Sequence, residues 1–152
     1  KIKKNYAYLN FLKNYKVINP GELSTSGDFS DCSIEDLQAK IDFLGLDNIV
    51  LVKGPFSKTL TNNQLPKNVC AALIDCDLYE SYMTSLTWLE DKTNQNSGIY
   101  LDEYYSLKFP GARIAVHEFI KDKPNIVWSQ WGESIGGFER WGITYKDKKW
   151  KK

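Results

Sequence analysis

The segment Val69–Tyr79, VCAALIDCDLY, runs from an apolar stretch directly into the acids Asp75 and Asp77. A second segment, Gly98–Tyr104 (GIYLDEY), repeats the pattern with an adjacent Asp-Glu pair. Apolar runs that end in charged residues are typical of parallel strands at the carboxyl edge of an open α/β sheet, where such sheets bind ligands. The two segments therefore predict an acidic site at the rim of a sheet.

The rest of the chain alternates between strand-like and helix-like patterns. Ser33, with an acid three residues later, indicates a helix start, and Gly45 indicates its end. Residues 6–17 are compatible with either a helix or a strand. The alternation predicts an α/β fold with a mostly parallel sheet, helices on both faces and an antiparallel carboxyl-terminal edge. The predicted elements are helix 34–44, strands 48–53 and 69–74, helix 79–90, strand 99–101, helix 112–120, and strands 126–128 and 143–145.

Composition limits the classes of function. The chain has 152 residues, enough for one domain, and a formal net charge of +1, which gives no reason to expect nucleic acid or an anionic membrane as partner. It contains no apolar run of membrane-spanning length. The three cysteines lack CxxC spacing and predict a reducing, cytoplasmic compartment without a disulfide framework.

Four carboxylates at one sheet edge repel one another unless a cation or a proton lies among them. Oxygen ligands with few histidines favour Mg²⁺, Ca²⁺ or Mn²⁺ over zinc, so a hard-metal site is one interpretation. The other is that these acids are ordinary helix caps and loop charges. Spacing alone supports both equally. The single histidine, His117, falls within a predicted helix and is interpreted as a structural or surface residue rather than a base.

Taken in order, four segments resemble the macrocin O-methyltransferase family. That family carries the successive patterns K-G-x-F-x-x-T-L, D-x-D-x-Y-x-S, G-G-x-x-x-x-D-D-Y and A-V-x-x-F. The resemblance covers about residues 28 to 120. It implies a Rossmann-like class I methyltransferase fold and S-adenosylmethionine-dependent methylation of a hydroxyl on a sugar or glycosylated small molecule. The matching segments are Val52–Leu60 (VKGPFSKTL), Leu73–Ser81 (LIDCDLYES), Ser97–Tyr104 (SGIYLDEY) and Gly111–Phe119 (GARIAVHEF).

The resemblance also implies roles for individual residues. Asp75, Asp102 and Glu103 fall where the family holds Mg²⁺, and Asp77 falls where a carboxylate is the proposed general base. Bound Mg²⁺ would lower the pKa of the acceptor hydroxyl.

Further positions match residues of the family near the cofactor and near the acceptor. Gly54, Pro55 and Phe56 match a segment near the cofactor adenine. Tyr79 and Tyr104 would line the acceptor side, although core packing explains both equally well.

Three features depart from the family pattern. Glu103 replaces the second aspartate of the D-D pair, and Ser97 replaces a glycine. The glycine-rich methionine-binding loop has no counterpart, and Leu9 stands where an acid would hold the cofactor ribose. Residues 1–152 are therefore expected to form one methyltransferase domain that is incomplete at its amino end.

Two alternatives remain open. In a metal-dependent glycosyltransferase, the motif from Asp75 to Asp77 would hold a nucleotide-sugar diphosphate through a metal ion. In a degenerate methyltransferase-like domain, the fold would persist without catalysis. The expected partner is a small-molecule or glycan acceptor, with no nucleic acid or membrane, and a homo-oligomer is left open.

Overall fold

The computed structural model describes residues 33–61, 65–106, 109–133 and 139–150. The predictions for residues 6–17 and for Leu9 lie outside these ranges. In chain order the elements are α1 (Ile34–Phe43), α2 (Phe56–Thr59), β1 (Ala71–Ile74), α3 (Tyr79–Lys92), β2 (Gly98–Leu101), α4 (Pro110–Ile120), β3 (Ile126–Glu133) and β4 (Glu139–Tyr145).

The strands form one four-stranded sheet in the order β1-β2-β4-β3. β1 and β2 are parallel, with Ile74 aligned with Leu101. β4 runs antiparallel to both β2 and β3. The α/β class and the antiparallel carboxyl-terminal edge are therefore confirmed, and β3 and β4 are longer than predicted. Among the described strands only β1 and β2 are parallel, so this part of the sheet is mixed and not mostly parallel.

Helix α1 begins and ends where the sequence predicts. The Ser33 side chain accepts a hydrogen bond of 2.9 Å from the backbone N–H of Asp36, which satisfies one of the unpaired donors of the first turn. At the other end, Gly45 has φ of +64°, in the left-handed region that glycine enters without strain.

The predicted strand at residues 48–53 is wrong. The structure gives this segment no regular secondary structure, and its apolar side chains are largely exposed, with Val50 at 84%. An apolar run becomes a strand only when a neighbouring strand takes its backbone hydrogen bonds. In the part of the chain that the structure describes, β1 pairs with β2 alone, so the segment has no such neighbour.

The hydrophobic core lies between one face of the sheet and helices α3 and α4. Alternation along β1 decides which face is covered, since Ile74 is buried whereas Leu73 is 63% exposed. The fully buried core side chains include Tyr82, Leu86, Ile99, Leu101, Val116 and Ile143.

On the opposite face, Trp131 lies across β4 and β2. It is the extra residue of a bulge between Gln130 and Gly132, and its indole ring covers Gly142 and Gly98. A Cβ at Gly98 would lie 3.2 Å from the ring, and one at Gly142 would overlap it outright. The absence of a side chain at these two glycines therefore leaves the space, here named the indole seat, that the Trp131 ring occupies.

Replacing Gly142 with alanine should lower the free energy of unfolding by about 1–3 kcal/mol, because the new methyl group displaces the indole from its seat. Urea denaturation gives this value. In a Trp131→Ala background the same change should cost much less, and this double-mutant cycle is the control. An equal cost in both backgrounds would show that the indole does not occupy this seat.

Candidate active site at the carboxyl edge of β1 and β2

The register of β1 and β2 brings the two acidic segments together. Because Ile74 lies beside Leu101, the next residues, Asp75 and Asp102, leave the sheet side by side at the same edge. The backbone N–H of Asp102 donates a hydrogen bond of 3.0 Å to the carbonyl of Ile74, which continues the ladder into the acidic turn. The acids therefore converge because the strands are parallel and in register.

A tight turn directs Asp77 back towards this edge. Asp77 has φ of +56°, a left-handed conformation that aspartate tolerates better than most residues. The backbone N–H of Leu78 donates to the carbonyl of Cys76, and α3 begins at the next residue, Tyr79. The turn thus separates strand from helix within a few residues.

A buried tyrosine anchors the second acidic turn. The Tyr82 hydroxyl donates a hydrogen bond of 3.1 Å to the carbonyl of Ile74 and accepts one of 3.3 Å from the backbone N–H of Glu103. It therefore connects the end of β1 with the turn after β2. Arg113 holds the same turn from α4 by donating to the carbonyls of Tyr104 and Tyr105 at 2.9 and 2.7 Å.

Carboxylate oxygens of Asp75, Asp77 and Glu103 lie within 4.8 Å of one another, a spacing at which they could share a metal ion. The predicted metal set was Asp75, Asp102 and Glu103, and the structure groups two of these acids with Asp77. The left-handed turn at Asp77 brings that acid into the group. Asp102 adjoins the group, and its charge raises the pKa of both Asp75 and Glu103. The roles of all four as ligands or base remain predictions.

The negative charges of this group are not balanced by a neighbouring positive charge that lowers the pKa of Asp75 or Glu103. Burial, followed by the charges of Asp102 and Asp77, raises the pKa of Glu103 from 4.5 to about 7. Burial and the charge of Asp102 also raise the pKa of Asp75. Either a proton or a cation relieves this repulsion. Burial, followed by the charge of Asp77, raises the pKa of the intervening Cys76 thiol to about 12, so this group stays neutral near pH 7.

Two cavities adjoin the acids. The first, of about 280 Å³, is mainly apolar and includes Phe56, Leu73, Ile74, Asp75, Cys76 and Trp88 in its wall. The second, of about 260 Å³, has a wall in which most residues are charged or polar, and it is called the polar cavity. Its wall consists of Asp102, Glu103, Tyr105, Ser106, Phe109, Glu139 and Arg140. The acids therefore separate an apolar cavity from a polar one.

The predicted cofactor segment lies beside the apolar cavity. Phe56 lines it as the first residue of α2, and Pro55 precedes that helix. Gly54 has φ of +142°, and a Cβ there would lie 2.9 Å from the Thr59 methyl group. This position therefore requires glycine, whereas the adenine contact itself remains a prediction.

Tyr79 and Tyr104, predicted on the acceptor side, are packed in the core. They are only 6% and 4% exposed. The Tyr79 hydroxyl donates to Glu118 at 2.6 Å, and the Tyr104 hydroxyl lies 2.9 Å from Nε2 of His117. Neither tyrosine belongs to the wall of the two cavities, so packing is the role that the structure supports.

Glu139 and Arg140 are site residues that the sequence analysis missed. They begin β4, upstream of the predicted strand 143–145, and antiparallel pairing of Trp141 with Leu101 brings them to the acidic edge. The detectable signal was the Glu139–Tyr145 run, whose aromatic and β-branched residues favour a strand.

Comparison with known proteins identifies the family. The model of the macrocin-O-methyltransferase (TylF) family matches residues 21–127, more than half of the 152-residue chain. The chain belongs to this family. Its acidic turns after β1 and β2 lie within the matched range, whereas β4, with Glu139 and Arg140, lies beyond it. No curated protein matches the chain.

Solved structures show the same fold for this macrocin O-methyltransferase family member. The O-methyltransferase NovP is 19% identical with a TM-score of 0.62; the match covers 81% of this chain and 53% of NovP. A Klebsiella pneumoniae protein described as an O-methyltransferase is 14% identical with a TM-score of 0.57, and coverage is 74% and 56%. One from Clostridium thermocellum, described as an rRNA methylase, is 17% identical with a TM-score of 0.57, and coverage is 80% and 72%.

The chain thus spans about half the length of NovP. None of the helices in the described ranges is long and apolar enough to cross a membrane. Cys70 and Cys76 are free thiols.

The raised pKa of Glu103 predicts a pH-dependent stability. Without divalent ions, the folded protein holds a proton on Glu103 that the unfolded chain loses at lower pH. The free energy of unfolding should therefore fall as the pH rises from about 4.5 to about 7. Urea denaturation across this range measures the slope. Glu103→Gln should flatten it, whereas exposed Glu35→Gln should not. An unchanged slope in Glu103→Gln would contradict the assigned cause.

Proposed function

We propose that this chain forms the acceptor-activating part of an S-adenosylmethionine-dependent O-methyltransferase, with Mg²⁺ held by Asp75, Asp77 and Glu103. The observation that carries the proposal is the convergence of these three carboxylates at the carboxyl edge of β1 and β2, within 4.8 Å of one another. The family membership supplies the reaction class.

The donor set fits a hard divalent ion. All three groups offer carboxylate oxygens, and the raised pKa values of Asp75 and Glu103 reflect burial and negative charge that a cation would compensate. The chemistry that bound Mg²⁺ would supply is Lewis acidity, which lowers the pKa of a coordinated hydroxyl.

Methyl transfer from a sulfonium to a hydroxyl breaks the sulfur–methyl bond and forms an ether; the sulfonium leaves as a neutral thioether, and the hydroxyl releases one proton. A carboxylate at the site must accept that proton. Asp77 has this role by family resemblance, yet it also lies within the three-acid group. Asp102, adjacent to Glu103 and outside that group, is the second candidate. Substitutions at these two aspartates separate ion binding from proton transfer.

The two cavities suggest how the substrates are arranged. The apolar cavity beside Phe56 suits the adenine of the cofactor, because such rings are bound mostly by apolar and aromatic side chains. The polar cavity beside Asp102 and Glu103 suits a hydroxyl-rich acceptor, a sugar or a glycosylated small molecule. The reacting hydroxyl would then lie between them, at the acids.

Calorimetric titration of Mg²⁺ into the chain tests the ion site. Asp75→Asn and Glu103→Gln should each weaken Mg²⁺ binding by about tenfold or more, since each removes a charged ligand. Glu35→Gln, which removes an exposed acid of α1, should leave it unchanged. Equal Mg²⁺ affinity in all four proteins would refute the site.

A second titration addresses the cofactor and the alternatives. With Mg²⁺ present, S-adenosylmethionine should bind, and Phe56→Ala should weaken binding several-fold by removing an apolar wall. Heat only with a nucleotide-sugar would favour the glycosyltransferase alternative. Mg²⁺ binding without any cofactor binding would favour the non-catalytic alternative.

A further inference from the structure

The polar cavity beside the acids contains one arginine whose charge the proposed reaction does not use. Its wall carries Asp102, Glu103, Glu139 and Arg140. We propose that Arg140 binds an anionic group of the acceptor, so that the acceptor is a hydroxylated ring bearing a carboxylate or a phosphate. This inference rests on the proposed function, since it assigns the polar cavity to the acceptor.

The fold places Arg140 at the correct edge for this role. β4 runs antiparallel to β2, and Trp141 is aligned with Leu101. One residue beyond that pair, the chain reaches Arg140 on β4 and Asp102 on β2. The guanidinium group therefore belongs to the same cavity as the acids while being carried by a different strand.

The neighbouring acid on β4 already has a partner. Oε2 of Glu139 accepts a hydrogen bond of 2.6 Å from the indole N–H of Trp141. The backbone of Arg140 pairs with Gly132 of β3, but its guanidinium group has no hydrogen bond or ion pair among the described side chains, although three carboxylates line its cavity. By contrast, Arg113 is committed to two backbone carbonyls.

A half-buried guanidinium group with unused donors is suited to one class of ligand. Its planar fork of N–H groups binds carboxylate and phosphate oxygens in pairs. An anionic acceptor entering this cavity would meet the charges of Asp102, Glu103 and Glu139, so it needs a fixed cation away from the reacting hydroxyl. A neutral acceptor has no such requirement.

The location of Arg140 relative to the family match supports a role in acceptor choice. Asp75, Asp77 and Glu103 lie within residues 21–127, whereas Arg140 lies outside that range. The chemistry of the site therefore belongs to the part of the chain shared with the family. Within the wall of the polar cavity, Glu139 and Arg140 belong to the part beyond it.

Binding of three probes to the Mg²⁺-loaded chain tests this inference. Glucuronate, glucose 6-phosphate and glucose are titrated separately, with amide NMR shifts as the readout. At least one anionic probe should bind about tenfold more tightly than glucose, because a charged hydrogen bond is added. The two anionic arms distinguish a carboxylate from a phosphate source.

Arg140→Gln should abolish this preference, and Arg140→Lys should retain part of it. Lys146→Gln, which removes an exposed charge just after β4, is the matched control and should leave the preference intact. Magnesium affinity should be unchanged in all three variants. Thermal unfolding confirms that each variant is folded.

Several results would overturn the inference. Equal binding of glucose and both anions by the unmodified chain would show that the cavity does not select charge. If the preference for anions survives Arg140→Gln, the metal ion and not Arg140 is its cause. A loss of Mg²⁺ affinity in Arg140→Gln would assign the arginine to screening of the acids. Failure of Mg²⁺ binding itself would instead count against the proposed function.

Discussion

The in-register parallel pairing of β1 and β2 is the constraint on which the rest of the site depends. It places four acidic residues at one rim, after Ile74 and Leu101. Like charges that are brought together oppose folding, and the buried core beneath them must offset that repulsion. Tyr82 belongs to both parts, because its ring is fully buried while its hydroxyl bonds to the end of β1 and to the turn after β2. The site is therefore held by the same packing that holds the fold.

The raised pKa of Glu103 is a consequence of burial and of this repulsion among the acids. Burial is its largest cause, and the charges of Asp102 and Asp77 add to it. A group in this state exchanges its proton readily near neutral pH, and a divalent ion can replace that proton. An acidic rim between an apolar cavity and a polar one is thus suited to hold an acceptor hydroxyl against a cofactor. The family membership agrees with this arrangement.

Local signals predicted most of the fold and part of the site. The cap at Ser33 and the acids that end β1 and β2 are encoded within a few residues, so the sequence alone revealed them. Residues 48–53 were misassigned because a strand depends on a neighbour, which no local pattern reveals. The inclusion of Asp77 among the three acids depends on a left-handed turn. The place of Arg140 in the wall of the polar cavity depends on strand pairing across about forty residues. Such long-range geometry is invisible to residue spacing.

The central claim is that Asp75, Asp77 and Glu103 share one divalent ion. Paramagnetic broadening of backbone amide signals by Mn²⁺, which accepts the same oxygen ligands as Mg²⁺, locates the ion directly. If the three acids share an ion, substoichiometric Mn²⁺ should broaden the signals of residues 75–78 and 102–104 first, and excess Mg²⁺ should reverse the effect. Broadening centred elsewhere, or none at all, would contradict this shared site.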